Sequence, residues 1–387
     1  MKKKVFRIIT APVSMNIILK GQLSFMNQFF DVVGVTKKDD KHYSEVSKRE
    51  GVRMIPIDFT RMISPYKDLK VLIELYFILK REKPEIVHTQ TPKAGLIGLL
   101  AAKIAGIKIR VHTVGGIPWM ESKGIKRILL KMIEKFTYSL AHRVYPNSKG
   151  LESFILSEAI CKPQKLKVLG NGGSNGINTD YFIRDLDQRI LLREKYNIDD
   201  ETTVLGFVGR IAKEKGINEW LDVFEEMKLK YKLKILLIGL FEQTNGILGN
   251  DVRSKIESDP DILFLGRFDD VRPYYSMMDI FVFPSYREGF PNAVLEACSM
   301  ELPIIATDIN GCNEIIEDEV NGLLIEPKSR SSLKNALIKL IESHELRGNM
   351  AKEGRLKVVN LFKREILFNA IKDEYESFLV NKVNRDI

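Results

Sequence analysis

The sequence alternates short apolar runs with amphipathic helical stretches, and it does so in both halves of its 387 residues. Thr203–Val208 and Leu233–Ile238 are almost continuously apolar, and Ile107–Val114 and Lys165–Leu169 are strand-like runs of the first half. Strands buried on both faces of a parallel sheet have this composition. Strand–helix alternation predicts a doubly wound α/β sheet. Its occurrence in each half therefore predicts two doubly wound α/β domains.

A polar stretch around residues 185–200 separates the two patterns. A chain of this length exceeds one ordinary core, and two domains of roughly 150–200 residues each are expected. We predict a first domain over residues 1–185 and a second domain over residues 186–367. The closing segment, about 368–387, has a helical pattern and is predicted to pack back onto the first domain.

Charge and cysteine content narrow the class of protein. The formal net charge is +9, and lysine and arginine clearly outnumber aspartate and glutamate in residues 1–180, whereas the remainder is mildly acidic. A basic half predicts an anionic partner, with nucleic acid, an anionic membrane surface and a phosphorylated substrate as candidates. Three widely spaced cysteines favour a reducing cytoplasm and exclude a cysteine-rich metal site. No apolar run is long enough for a transmembrane helix.

A glycine-containing segment, Gly206–Gly216, follows an apolar strand and precedes an amphipathic helix. Ligands of open parallel sheets bind beyond the carboxyl ends of the strands. Glycines such as Gly209 allow the backbone to approach a ligand closely, and Arg210 and Lys215 supply positive charge for an anion such as a diphosphate. An ordinary charged surface loop is the alternative interpretation.

The stretch PSYREGFPNAVLEACSM, residues 284–300, places two carboxylates in unusual surroundings. Glu296 lies on an apolar helix predicted to begin near Pro291, where unpaired N–H groups and the helix dipole favour a phosphate. A carboxylate there is costly without partners, and a ribose diol would supply two O–H donors. Glu288 precedes a glycine turn and could accept hydrogen bonds from sugar hydroxyls. Alternatively, Glu296 pairs with a cation of its own fold and Glu288 is solvated.

The glycine-containing segment Gly206–Gly216, followed along the chain by the stretch 284–300, resembles the family 4 retaining glycosyltransferases. The resemblance rests on Gly-Arg-x4-Lys-Gly followed by Glu-x7-Glu, and on Thr307–Pro327. HTQTPKAGLIGLLAAKIAGIKIRVHTVGGIP, residues 88–118, and Gly170–Asn178 resemble the bacterial branch that builds capsule, O-antigen and related glycans. The resemblance covers nearly the whole chain. It implies the GT-B fold, in which an acceptor-side Rossmann-like domain and a nucleotide-sugar-binding Rossmann-like domain face each other across a cleft.

The resemblance also implies roles residue by residue. Arg210 and Lys215 match the pair that binds the donor diphosphate and stabilises charge on the leaving group. Glu296 matches the ribose-binding glutamate, and Glu288 matches the glutamate that contacts the transferred sugar. His112 matches an active-site histidine near the sugar hydroxyls, with a satisfied core histidine as the alternative. The donor-binding loops are completed by Gly209, Gly289, Phe290, Pro291 and Asn292.

The sequence departs from the family at one loop and contains one pattern that could bind a metal ion. The segment Ala11–Asn16, after the first strand, lacks the glycine pair that family members often carry there. Asp185 and Asp187 form an Asp-x-Asp pattern, which holds a divalent cation in the other major glycosyltransferase fold. The pattern falls in the polar linker, and Arg210 and Lys215 can supply the electrostatic stabilisation of a cation. We therefore expect no metal site and no cofactor.

Together with these features, the resemblance implies a retaining hexosyltransferase. It would move a hexose or N-acetylhexosamine from a UDP sugar to a polyprenyl-diphosphate-linked saccharide, in capsule, lipopolysaccharide or exopolysaccharide synthesis. A nucleotide-sugar epimerase of the same fold and a non-catalytic binder of anionic polymers are the alternatives. A nucleic-acid partner is not expected, because the sequence shows neither aromatic stacking platforms nor a recognition motif.

One helix has a composition that indicates where in the cell the protein works. Gly124–Tyr138 interleaves Lys126, Arg127, Lys131 and Lys135 with large apolar side chains. Such a helix can lie on an anionic membrane surface, and an ordinary helix packed on the sheet is the alternative. We expect a cytoplasmic protein that is peripheral at the inner face of the plasma membrane.

Overall fold

The structure is a computed structural model that describes residues 2–60, 64–117, 119–120, 122–243 and 246–383, with only the backbone described at 381–383. Its contacts divide the chain into two compact units. Unit 1 comprises Met1–Gly176 and Arg364–Ile387, and unit 2 comprises Ile177–Lys363. Among the described residues, no helix combines the length and the apolar character needed to span a bilayer.

Unit 1 is built on a six-stranded parallel sheet in the order β3-β2-β1-β4-β5-β6. The described strands are β1 (Lys4–Ile8), β2 (Asp31–Thr36), β3 (Arg53–Pro56), β4 (Ile86–Gln90), β5 (Ile109–Val114) and β6 (Arg143–Pro146). The described helices are α1 (Pro12–Ile18), α2 (Gln22–Asn27), α3 (His42–Glu50), α4 (Pro65–Glu82), α5 (Pro92–Ile104), α6 (Gly124–Leu140) and α7 (Lys149–Ser157).

Unit 2 repeats the plan with the strand order β12-β11-β10-β7-β8-β9. Its described strands are β7 (Thr203–Val208), β8 (Leu233–Ile238), β9 (Ile262–Gly266), β10 (Ile280–Phe283), β11 (Ile304–Thr307) and β12 (Leu323–Ile325). Its described helices are α8 (Leu186–Lys195), α9 (Ile217–Met227), α10 (Asn250–Ser258), α11 (Arg272–Met277), α12 (Asn292–Ser299), α13 (Cys312–Ile315), α14 (Arg330–Glu342) and α15 (His344–Leu361). Two separate parallel sheets confirm the prediction of two doubly wound α/β domains.

The strands are apolar because helices cover both faces of each sheet. In unit 1, Phe6 and Ile8 of β1 join a buried cluster with Leu75 of α4 on one face. Val5 and Ile9 join a second cluster with α1 and α2 on the other face. Neighbouring residues of one strand therefore serve two cores, which explains why the apolar runs are continuous instead of alternating.

The last helix, α16 (Arg364–Val383), packs within unit 1. The rings of Phe368 and Phe25 lie 5.4 Å apart, and the rings of Tyr375 and Phe30 lie 5.6 Å apart. The Tyr375 hydroxyl also lies 2.5 Å from Nδ1 of His88 on β4. These contacts anchor the described part of the closing segment, and residues 384–387 of that segment lie outside the described residues.

The boundary between the units falls earlier than the sequence suggested. Residues 177–185, assigned above to the first domain, belong to unit 2. The guanidinium of Arg355 on α15 donates to the carbonyl oxygen of Phe182 at 3.1 Å, and the Ser299 hydroxyl donates to the same oxygen at 2.8 Å. The chain returns to unit 1 at Arg364 instead of residue 368.

The strand expected at Lys165–Leu169 is absent from the described structure. A short 3-10 turn occupies Pro163–Lys165, and only a single bridge joins Val144 to Leu166. The apolar pattern of Lys165–Leu169 predicted a strand because Leu166 and Leu169 are buried. Both residues pack in the core, and beyond the single bridge they form no strand pairing.

Candidate functional site

Four side chains singled out in the sequence lie beyond the carboxyl ends of two neighbouring strands of unit 2. Strand β7 ends at Val208, and Arg210 and Lys215 follow it. Strand β10 ends at Phe283, and Glu288 lies in the loop that leads to α12, which carries Glu296. Because β7 and β10 pair in parallel, their carboxyl ends share one edge of the sheet. This edge is where open α/β sheets bind ligands.

Lys215 and Glu288 form an ion pair between these two loops. The Lys215 ammonium contacts Oε1 of Glu288, and the two side chains are only 12% and 15% exposed. The ammonium also lies 5.5 Å from the centre of the Phe283 ring. Removing one member of a largely buried pair leaves the other charge uncompensated, which is costly. The pair therefore fixes a cation and a carboxylate side by side at the site.

Arg210 is held differently, because its side chain is 57% exposed. Its guanidinium contacts the carboxylate of Glu242 and lies 3.3 Å from Oε1 of Glu214. Both carboxylates are largely buried. A guanidinium has five N–H donors, so these contacts leave capacity for an anion. Glu214 and Glu242 were not among the residues predicted from the sequence. The position of Glu242 just after β8, the strand paired with β7, is the signal that could have identified it.

Glu296 lies in the second turn of α12 and accepts a hydrogen bond of 3.0 Å from the hydroxyl of Tyr275. Tyr275 belongs to α11 and is fully buried. Burial, and secondarily the Glu296 carboxylate, hold the pKa of the Tyr275 phenol well above its usual range, so the phenol stays protonated as a donor. Tyr275 thereby fixes the orientation of the carboxylate at the start of an apolar helix.

The backbone of residues 288–291 is clamped by the loop that follows β11. The amide group of Asn310 donates to the carbonyl oxygens of Glu288 and Gly289 at 3.1 and 3.0 Å. Gly311 has a φ of 79°, and a Cβ at this position would lie 2.5 Å from the carbonyl oxygen of Gly289. The Phe290 ring packs against Phe362 with 5.5 Å between ring centres. These contacts set the path of Gly289–Asn292 into α12.

The loop after β7 is packed against the same region. Gly216 has a φ of 69°, and a Cβ there would lie 2.1 Å from the carbonyl oxygen of Pro284. The backbone N–H of Tyr286 donates to the carbonyl oxygen of Glu214 at 2.8 Å. Glycine is thus required where the two loops touch, and the close approach brings Lys215 to Glu288. Gly209, between β7 and Arg210, has a φ of 156°, a backbone conformation that residues with a side chain rarely adopt.

His112 lies on β5 of unit 1, and its side chain is 2% exposed. Its Nδ1 atom lies 2.8 Å from the hydroxyl of Thr89, and Gly95 of α5 lies directly against the ring. Burial lowers the pKa of the imidazole to about 4, so the ring is neutral near pH 7. These contacts satisfy the buried ring within unit 1, and a role of His112 at the sugar stays a prediction.

The remaining sequence features have ordinary structural roles. The Asp185 carboxylate caps α8 by accepting from the backbone N–H of Gln188 at 2.9 Å. Within the described part of the chain, no group of three or more histidine, cysteine, aspartate or glutamate residues is placed to hold a metal ion. Independence of metal stays a prediction. Ala11–Asn16 comprises the N-cap and the first turns of α1, where the side chain and backbone of Asn16 contact Arg49 of α3.

Comparison with known proteins gives two family matches that together span most of the chain. The profile described as "Glycosyl transferases group 1" matches residues 188–357, and the profile described as "Glycosyltransferase Family 4" matches residues 25–174. The chain is 33% identical over 379 residues to the capsular polysaccharide biosynthesis glycosyltransferase CapM of Staphylococcus aureus, covering 97% of this chain and 98% of that protein.

Two further similarities extend this result. The chain is 32% identical to the UDP-Gal:alpha-D-GlcNAc-diphosphoundecaprenol alpha-1,3-galactosyltransferase of Escherichia coli, covering 83% of both chains. Among solved structures, Anabaena Alr3699/HepE in complex with UDP and glucose superimposes with a TM-score of 0.82, covering 97% of this chain and 100% of that chain. The sequence identity to that structure is 16%, so it bears on the fold alone.

Gly311→Ala tests the clamp on the 288–291 backbone. The new Cβ would meet the Gly289 carbonyl oxygen in a left-handed backbone conformation that alanine disfavours, so we expect a loss of more than about 1 kcal/mol in the free energy of unfolding. Thermal unfolding followed by circular dichroism measures it. The matched control is Gly348→Ala in α15, where the added Cβ would meet no described atom within 4 Å beyond its chain neighbours and its own helix backbone, and which should be neutral or slightly stabilising. Equal melting temperatures for both variants would contradict the clamp.

Proposed function

The chain belongs to the family 4 glycosyltransferases, and from this membership we propose that it transfers a hexose or N-acetylhexosamine from a UDP sugar to a saccharide linked to polyprenyl diphosphate. The proposed product is a capsule or related cell-surface polysaccharide. Support comes from the similarity to CapM and from the E. coli relative, whose name gives a UDP-linked donor and a diphosphoundecaprenol-linked acceptor. The Lys215–Glu288 pair is the observation in this chain that carries the proposal.

The pair matches the chemistry at the reacting end of a nucleotide sugar. In such a donor, the sugar carbon that reacts is joined directly to a phosphate oxygen. A cation for the phosphate and a carboxylate for the sugar hydroxyls must therefore lie next to each other, as Lys215 and Glu288 do. Arg210 adds a second cation, and its planar fork suits two phosphate oxygens. We assign these two cations to the donor diphosphate and Glu288 to the transferred sugar.

Glu296 is assigned to the ribose. Its carboxylate has one oxygen bonded to the Tyr275 hydroxyl and is part-buried on α12, so it offers a fixed acceptor for a vicinal diol. Hydrogen bonds to a charged acceptor contribute more than neutral ones. The amide groups of Gly289, Phe290 and Asn292 border the same end of α12, where a phosphate is favoured.

The proposed reaction retains the configuration at the sugar carbon. The bond from that carbon to the phosphate oxygen breaks, and the acceptor oxygen bonds to the same face. The acceptor proton passes to the departing phosphate, and UDP leaves with the bonding electrons. Glu288 is neutralised by Lys215, which makes it a poor covalent nucleophile and supports direct attack on the same face. Lys215 and Arg210 stabilise the charge that develops on the diphosphate.

A contribution of His112 is part of this proposal. Because Thr89 contacts Nδ1, Nε2 is the ring atom that would meet an outer hydroxyl of the sugar. The low pKa means that it would act as a neutral hydrogen-bonding group, without charge, across the physiological pH range.

We also propose that the enzyme works at the anionic inner face of the plasma membrane, where a polyprenyl-linked acceptor lies. Support comes from the basic first half of the sequence and from α6, on which Ile125, Ile128, Leu129 and Met132 are exposed. A basic helix with an exposed apolar side is suited to a membrane surface.

Release of UDP tests the transfer itself. Purified protein is incubated with a panel of UDP sugars, with and without a polyprenyl-diphosphate saccharide. We expect acceptor-dependent UDP release and an acceptor lengthened by one sugar. An epimerase would change the donor sugar without lengthening the acceptor, and a non-catalytic binder would release no UDP.

The cations are tested with Arg210→Ala and Lys215→Ala. Loss of a comparable electrostatic donor costs about 3–4 kcal/mol, which corresponds to a rate roughly 100- to 1000-fold lower. Steady-state kinetics on folded variants measures the effect, and the exposed Lys230→Ala provides a matched control in unit 2. Turnover within about threefold of the unmodified enzyme in either variant would refute the diphosphate assignment.

The two glutamates should act on different parts of the donor. Glu296→Gln loses charge-assisted bonds worth about 1.5–3 kcal/mol, so calorimetric titration should show weaker binding of both UDP and UDP sugar. Glu288→Gln should bind UDP almost normally and turn over slowly. The reverse result would exchange the two roles, and no change in either variant would make both carboxylates structural.

Metal independence is tested by chelation. Because two side-chain cations take the place of a divalent ion in this proposal, activity should survive excess EDTA. If EDTA inactivates the enzyme and magnesium or manganese restores activity, a divalent cation takes part in the reaction. Asp185 and Asp187 would then be the first candidates for its ligands.

A further inference from the structure

Helices α4 and α6 of unit 1 each bury one side and expose large apolar residues on the other. On α4, Val71, Leu75 and Leu79 enter the core. The exposed residues on α4 are Tyr66, Leu69, Ile73 and Phe77, at spacings of three and four. On α6 they are Ile125, Ile128, Leu129, Met132 and Phe136, of which Ile128 and Leu129 are adjacent and the others recur at spacings of three and four. Tyr66 and Ile125 are 83% and 85% exposed. Residues at these spacings share one side of a helix, so each helix carries a continuous apolar stripe.

The two stripes belong to one layer of helices. Helix α5 contacts α4 along one side and α6 along the other. The connections β3–α4–β4, β4–α5–β5 and β5–α6–β6 join parallel strands, and right-handed crossovers place these helices on the same face of the sheet. Since the stripes are exposed and the opposite sides face the sheet, both point outward. With α5 between them, the helix axes are about 16–20 Å apart.

Single exposed apolar residues are normal on a soluble protein, whereas large contiguous patches mark an interaction surface. The charges around these stripes indicate the chemistry of the partner. On α6, the exposed charged residues are Lys126 and Lys135, and Lys123 precedes the helix; Glu134 is buried. On α4, Lys67, Lys70, Lys80 and Arg81 are exposed against one exposed carboxylate, Glu74.

This combination of apolar and basic groups favours an anionic bilayer over a second copy of the chain as the partner of the two helices. A second copy of the chain would bring lysines against lysines, which is unfavourable. An anionic bilayer accepts apolar side chains into its boundary region and pairs lysines with its head groups. We infer that α4 and α6 together form a two-helix face that seats unit 1 on an anionic bilayer.

The inference rests on the proposed membrane location and extends it from one helix to two. A single helix at a surface leaves the protein free to rotate about the helix axis. Two parallel lines of contact fix the tilt, so that the α4–α5–α6 layer lies flat on the bilayer. The first turns of α4 and α6 follow the carboxyl ends of β3 and β5. In this orientation the carboxyl edge of the unit 1 sheet opens along the bilayer surface, one helix layer away from the head groups that surround the diphosphate of a lipid-linked acceptor.

The test measures binding of the full chain to vesicles of phosphatidylglycerol and phosphatidylcholine, and to vesicles of phosphatidylcholine alone. Leu69→Glu/Phe77→Glu disrupts the stripe on α4, and Ile128→Glu/Met132→Glu disrupts the stripe on α6. The matched control is Leu229→Glu, which changes an 87% exposed leucine of unit 2. Each double variant should bind anionic vesicles at least tenfold more weakly, the control should bind within twofold, and neutral vesicles should bind weakly.

Three further outcomes separate the possibilities. If only the α6 variant loses binding, the two-helix inference is wrong while the proposed membrane location stands. If the protein binds no vesicles and sediments as a dimer that the α4 variant dissociates, the face is a contact between copies and the inference is wrong. Both double variants should transfer sugar to a short, water-soluble prenyl-diphosphate acceptor as fast as the unmodified protein does. If the unmodified protein itself transfers no sugar to this acceptor, the proposed function is wrong, whatever the outcome of the vesicle experiment.

Discussion

The parallel pairing of β7 with β10 determines where the candidate functional site of this protein lies. It brings the ends of two strands, and the loops that follow them, to one edge of the unit 2 sheet. The loops touch where Gly216 meets the carbonyl of Pro284, and this close approach permits the ion pair between Lys215 and Glu288. The groups assigned to phosphate and sugar are thus positioned by the sheet itself, and little further ordering is needed when a donor binds.

Both cations of the candidate site already have carboxylate partners before any ligand binds. Lys215 is neutralised by Glu288, and Arg210 lies between Glu214 and Glu242. Internal carboxylates reduce the cost of holding cations in a partly buried site. They also mean that an incoming diphosphate competes with existing partners. Selectivity for a diphosphate then follows from its two phosphate groups, which can engage both cations at once, whereas a single carboxylate or phosphate can replace only one partner.

Much of the fold and of the site was predictable from sequence, for local reasons. Continuous apolar strands are a local property, and they predicted both sheets. The types of residue at Arg210, Lys215, Glu288 and Glu296 also predicted an anion and a polyol as ligands, and these ligands stay predictions. Prediction failed where packing overrides local pattern. Lys165–Leu169 is apolar because the core buries Leu166 and Leu169, although no strand forms there. The domain boundary was misplaced because Arg355, far along the chain, binds the backbone at Phe182.

The sequence by itself determined the number of domains, their class and the family to which the chain belongs, because periodicity, residue type and motif order are properties of the chain. Only the tertiary structure decided which charges meet. Lys215 and Glu288 are 73 positions apart, and Arg210 and Glu242 are 32 positions apart. Only the tertiary structure decided, too, which apolar residues of α4 and α6 stay exposed. A helix with apolar residues on several sides has no preferred buried side of its own, and the choice is made by the sheet against which it packs.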